Sequence, residues 1–302
     1  MAARFACLVL SSDSATLGRL DYASLSQQTL LEMVIDGITF KQYICREDEG
    51  TSEIQNWIGL TFNNEDETLI EVDWSETNTD GPLEGSISLE WLPATVKKFD
   101  LRVNRVEGSA NLTHLPEALK SLDLSENHFA GEIKLDSLPE HIEELLLHEN
   151  VLTGPLNLTS LPDSLRELNL GGNHFSGSVD LTGLPESMKI LVLAENQLSG
   201  AINLMHLPHQ FSGLLLAGNK FEGETDFSKI PQSMEDLDIT NNIALSGTIL
   251  LSYAIDFKAE FCAVQVFEPM RVIDANIPGT TLLSIYPRDD IREGDHAYFV
   301  AR

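Results

Sequence analysis

The chain has 302 residues, enough for one long domain or two ordinary ones, and its 42% apolar and 22% charged content suits a folded protein. Forty-seven Asp and Glu against 19 Lys and Arg leave a formal charge of −28. A field of that sign repels phosphate backbones and anionic lipid, and no apolar run approaches the roughly 18–20 residues of a spanning helix, so neither nucleic acid nor membrane is expected as a partner.

From the amino terminus, one cation and a short apolar stretch are broken by Ser11, Ser12 and Asp13, which is brief for a signal peptide. Cys7, Cys45 and Cys262 lie far apart without C-x-x-C spacing. Neither a disulfide framework, a zinc site nor any cofactor is therefore expected, and the compartment is read as reducing, intracellular and cytoplasmic. Asn111-Leu-Thr113 and Asn157-Leu-Thr159 match the glycosylation triplet, which matters only in a secreted chain. The segment Ser24–Ile38 reads as an amphipathic helix ending near Gly37. Trp57–Phe62 and Leu69–Trp74 follow, then Gly81-Pro-Leu-Glu-Gly85. Between Glu47 and Glu90 stand thirteen acids and no Lys or Arg, and Lys97, Lys98, Arg102 and Arg105 come directly after. That run is a solvated face or a steering surface.

Three residue types then lock to one period. Pro93, Pro116, Pro139, Pro162, Pro185, Pro208 and Pro231 recur every 23 residues, as do Asn104, Asn127, Asn150, Asn173, Asn196, Asn219 and Asn242. Gly85, Gly108, Gly131, Gly154, Gly177, Gly200 and Gly223 keep the same step. In each x-L-x-L-x stretch Leu122 and Leu124 point one way while Ser121, Asp123 and Ser125 point the other. One unit cannot bury its leucines alone, so seven must stack into a continuous core. Each Asn is placed to satisfy interior backbone groups, Gly to allow a turn or close approach, and Pro to fix φ where the next coil starts.

The unit L-x-x-L-x-L-x-x-N-x-F-x-G-x-I-x-L-x-x-L-P, read from Leu119 to Pro139, resembles the leucine-rich repeat, and its G-x-I-x-L half resembles the plant-type subclass. The resemblance implies a repeat solenoid: a β-rich right-handed superhelix with a parallel concave sheet, short second strands, and a cap at each end. The order helix, W-x-G, strand, L-x-G is similar to the amino-terminal cap of plant-type proteins. That cap usually carries W-x-G-V-x-C with paired cysteines, whereas Phe62 stands at the cysteine position here. Three regions follow: a cap with the helix over 1–67, the array over 68–250 (an irregular first coil plus seven regular repeats), and a carboxy-terminal region over 251–302. The last, with strand-like Phe261–Phe267 and Thr281–Tyr286, reads as a β-rich cap or a docking tail.

Function is expected on the concave face, the usual binding surface of the family. The residues presented there are Asp123, Glu144, Leu146, His148, Glu167, Asn169, Ile190, Val192, Ala194, Leu215, Ala217 and Asp238. Ile190, Val192, Ala194, Leu215 and Ala217 form an aliphatic centre, and the acids form its rim. His148 lies near Glu126 and Glu149, but no third ligand or nucleophile motif accompanies them, so catalysis is not expected. A non-enzymatic module holding another protein is the leading reading. A structural subunit of a large assembly and an extracellular recognition domain are the alternatives, and oligomeric state is left open.

Overall fold

The computed structural model describes residues 22–45, 53–75, 82–250 and 255–267. Helix α1 (Gln27–Val34) opens on Ser26, whose hydroxyl accepts from the Thr29 N–H at 3.1 Å, and it buries Leu30, Leu31 and Val34. It is shorter than the 24–38 span expected from its pattern. The chain breaks away because Gly37 and Thr39 are needed elsewhere: Gly37 O accepts from Ser86 N and Thr39 N donates to Glu84 O. One further turn, α2 (Gln42–Cys45), follows.

Strands then run in chain order as β1 (Leu60–Phe62), β2 (Leu69–Asp73), β3 (Glu84–Ser86), β4 (Lys98–Asp100), β5 (Arg105–Ser109), β6 (Ser121–Asp123) and β7 (His128–Gly131). Next come β8 (Glu144–Leu146), β9 (Val151–Gly154), β10 (Glu167–Asn169), β11 (His174–Gly177), β12 (Ile190–Val192) and β13 (Gln197–Gly200). The described chain closes with β14 (Gly213–Leu215), β15 (Lys220–Asp226), β16 (Asp236–Asp238), β17 (Ala244–Leu250), β18 (Asp256–Lys258) and β19 (Ala263–Phe267). Even-numbered strands with β1 make a ten-stranded sheet, and the odd-numbered strands from β3 to β19 make a nine-stranded one. Each coil thus gives one strand to each sheet, every coil-to-coil pair is parallel, and only β1 joins antiparallel.

From β4 to β16 the ten-stranded sheet keeps an offset of 23 residues between paired positions. Leu122, Leu145 and Leu168 are aligned across β6, β8 and β10, and all three are fully buried. On the other wall Val106, Phe129, Leu152, Phe175, Leu198 and Phe221 stack inward at no more than 1% exposure. Burying each such side chain is worth about 1.5–3 kcal/mol, and because each coil contacts its neighbours the core is a continuous apolar rod of aliphatic and aromatic side chains.

The asparagines form the ladder that the spacing predicts. Asn150 Oδ1 accepts from the Phe129 N–H at 2.9 Å, and its Nδ2 donates to Leu124 O and Leu147 O at 3.0 and 3.1 Å. Asn173 repeats the pattern one coil later and reaches the same Leu147 carbonyl at 3.0 Å. One carbonyl therefore serves two successive asparagines. The carbonyl of each of the seven prolines spaced by 23 residues accepts from the N–H three residues on, as Pro116 does from Leu119 at 3.0 Å, closing a turn that starts the next coil.

Both sheet edges are covered at the amino-terminal end, by β1 on one and by the Gly37–Thr39 segment on the other. Trp74, fully buried, donates its ring N–H to Ile58 O at 3.0 Å and meets Phe99 edge-on, which ties the cap to the first coil. At the far end β18 and β19 extend both ladders beyond residue 250, so coil-like pairing continues where the 23-residue motif has lapsed. The strand expected over Thr281–Tyr286 lies outside the described residues.

Candidate functional site on the open face of the ten-stranded sheet

Two rows of side chains run across this sheet in continuous register. Row one is Ser121, Glu144, Glu167, Ile190, Gly213 and Asp236, and row two is Asp123, Leu146, Asn169, Val192, Leu215 and Asp238. Beyond row two lie Ser125, His148, Gly171, Ala194, Ala217 and Thr240. Ile190, Val192, Ala194, Leu215 and Ala217 are indeed brought together, each half-buried. Alternation places them on the face opposite the core leucines, so stacking alone leaves them incompletely covered.

Row two divides by chemistry. Where it carries Asp or Asn, the side chain accepts from the N–H two residues on: Asp123 from Ser125 at 2.9 Å, Asn169 from Gly171 at 3.1 Å, Asp238 from Thr240 at 2.9 Å. Asp73 and Asp100 do the same. Asp123 also accepts from the Ser125 hydroxyl at 2.6 Å and is only 4% exposed, so it closes the strand end locally instead of facing outward as expected. Leu146, Val192 and Leu215 lack that acceptor and project as apolar side chains. The signal was present as Asp-x-Ser and Asp-x-Thr, the pattern of an Asx turn.

Burial sets the electrostatics. Desolvation raises the Asp100 carboxyl above its ordinary value against the Arg102 N–H, with the Asp123 and Asp73 charges pushing the same way. Glu167 is raised mainly by burial and then by Glu144, its in-register neighbour, while His148 pulls it down. A carboxyl whose folded pKa lies above its unfolded one contributes stability that is present below the unfolded pKa and lost as pH rises through the folded one. Glu167→Gln is therefore expected to raise the melting midpoint at pH 7 and leave it unchanged near pH 3. The gain stays below about 1 kcal/mol because the group is partly solvated and screened. An equal shift at both pH values would rule the charge out as its cause.

A feature that composition hid lies just before the strands. Lys97, Lys120, Glu143, Arg166 and Lys189 occupy one position of successive coils and make a cationic lip on an acidic molecule. Glu143 Oε1 meets Lys120 at 2.8 Å and Oε2 meets Arg166 at 3.4 Å, and the Lys120 contact holds this carboxyl below its usual range. A depression of about 560 Å³ lies against this lip, lined also by Ser121, Glu144, Glu167 and Ile190. Ser121 donates to Glu144 at 2.5 Å within it.

His148 is half-buried, and its Nδ1 has no hydrogen-bond partner. The Glu149 carboxylate is turned toward the next coil, where a Cβ on Gly172 would come within 2.5 Å of it. No group of three or more metal-ligating side chains occurs among the described residues.

A family model described as Leucine Rich Repeat matches residues 164–184. No curated protein matches the sequence. Among solved structures, a plant ice-binding protein is 18% identical with a TM-score of 0.56, covering 81% of this chain and 87% of that one. The PEPR1–AtPEP1 structure is 20% identical with a TM-score of 0.53 and covers 80% of this chain, which spans under half (42%) of that one. The BIR2 ectodomain from Arabidopsis thaliana is 20% identical at a TM-score of 0.44, covering 69% and 98%. The cytoplasmic expectation is corrected by these likenesses, since ectodomains from plants are among the structures this chain resembles. Asn111 and Asn157, the two glycosylation triplets, are both exposed. The 23-residue coils, the shared asparagine ladder and the matched repeat together give the chain the fold of a leucine-rich repeat solenoid, similar to that of plant-type repeat proteins.

Proposed function

We propose that this chain is a non-enzymatic recognition module that holds a protein partner on the open face of its ten-stranded sheet, expected to be the concave one. The observation carrying this reading is the aliphatic run Ile190, Val192 and Leu215, held in register and incompletely covered between Glu144, Glu167 and Asn169 on one side and Asp236 and Asp238 on the other. Apolar side chains set together in such surroundings lower free energy when a partner removes them from water. Exposed sequons at Asn111 and Asn157 support an extracellular setting.

Val192→Asp with Leu215→Asp is expected to abolish partner capture from the native source, read by quantitative mass spectrometry against wild type. The fold should tolerate the change, since Asp occurs naturally in that row at positions 100, 123 and 238 and finds a backbone donor two residues on. Undiminished capture by the folded double variant would move the binding surface elsewhere.

A further inference from the structure

Along the solenoid axis the aliphatic run is closed at both ends by carboxylates. Glu144 and Glu167 stand before Ile190, and Asp236 and Asp238 stand after the step occupied by Gly213 and Leu215. The two inner acids of row one are short of donors. No described residue gives the Glu167 carboxylate a hydrogen bond, and burial holds its pKa up. Asp236 Oδ1 is buried without a hydrogen-bond partner; its nearest cation, Lys258, is 3.7 Å away and lies closer to Asp256 at 3.3 Å. Both side chains are half-buried rather than sealed from water, and a carboxylate oxygen left without a donor there gains from an incoming N–H cation.

Their spacing is specific. Neighbouring strands lie about 4.8 Å apart, so the three steps from β10 to β16 separate Glu167 from Asp236 by about 14 Å. An extended peptide presents residues i and i+4 on one face about 13 Å apart. Residue i+2 then falls midway, where Gly213 carries no side chain and Ile190, Val192 and Leu215 form the surrounding wall.

We propose that this face takes an extended segment of the partner protein with the pattern basic–x–aliphatic–x–basic, lying along the solenoid axis. Its cations sit on Glu167 and Asp236, and its aliphatic side chain packs against Ile190, Val192 and Leu215. The proposal rests on the reading that this face is the binding surface, and it adds the chemistry of what binds. Glu144 and Asp238 reinforce the two anionic ends, while Lys120, Arg166 and Lys189 repel a cation displaced toward the lip and so hold it inside. A formal charge of −28 disfavours acidic segments throughout.

Three oriented peptide libraries test it on the full chain: x-Arg-x-Leu-x-Arg-x, the same frame with Glu for Arg, and a frame with its arginines two residues apart. The first should bind about tenfold more tightly than either other, weaken with added salt, and lose about tenfold in Glu167→Gln with Asp236→Asn. Equal binding of the three libraries, preference for Glu, or full affinity in the double variant would overturn the pattern. Partner capture lost in Val192→Asp with Leu215→Asp but intact in Glu167→Gln with Asp236→Asn would keep the surface and discard this chemistry. Capture intact in both would discard the surface as well.

Discussion

Asn150→Ala combined with Asn173→Ala destabilises the protein by more than the sum of the two single changes. Each single change leaves one buried N–H without an acceptor, Phe129 N for Asn150 and Leu152 N for Asn173. Such a group costs about 1–3 kcal/mol. The carbonyls suffer less, because the ladder is redundant: Leu147 O accepts from Asn150 at 3.1 Å and from Asn173 at 3.0 Å, so either amide can hold it. Removing both leaves that buried oxygen with neither donor, and the extra loss is expected to be about 1 kcal/mol or more. Asn104→Ala with Asn196→Ala supplies the control. Those two asparagines share no carbonyl, and their changes should add within about 0.5 kcal/mol. Denaturant unfolding of the six variants decides it. Additivity in the adjacent pair would show that the shared carbonyl is held by something other than the ladder.

Gly85→Ala is the second large effect, and its contrast with Gly131→Ala carries the point. Both glycines occupy the same repeat position, and both have positive φ, +102° and +87°. Forcing a side chain into that region costs roughly 1–2 kcal/mol, and at Gly131 that is all, since nothing lies within 4 Å of an added Cβ. At Gly85 the added Cβ would stand 2.1 Å from Gly37 O and 3.3 Å from the Ile38 Cα. The backbone there is pinned by Thr39 N to Glu84 O at 2.9 Å and Ser86 N to Gly37 O at 3.1 Å, so relief requires the cap to separate from β3. A loss above about 3 kcal/mol is expected, together with faster amide exchange at Thr39 and Ser86. Equal melting midpoints for the two variants would mean that the cap contributes nothing at this edge.

The candidate site was legible to different depths. Position-by-position alternation identified Ile190, Val192 and Leu215 as outward-facing, and 23-residue spacing brought them into one patch. The same reading grouped Asp123 with the rim, although its carboxylate is spent on Ser125. Lys120, Arg166 and Lys189 were overlooked because a molecule with 47 acids and 19 bases gives no compositional hint of a local cationic column.

Periodicity by itself determined the coil length, the buried leucine rows and the asparagine ladder, because identical coils have few ways to stack other than in register. Several features belonged to the tertiary structure alone: how far the coils continue past residue 250, which of seven equivalent glycines is pressed against the cap, and which outward carboxylates are left without donors. Those depend on what lies across from a residue in space, and a repeat makes positions alike in sequence while its ends and neighbours make them unlike in surroundings.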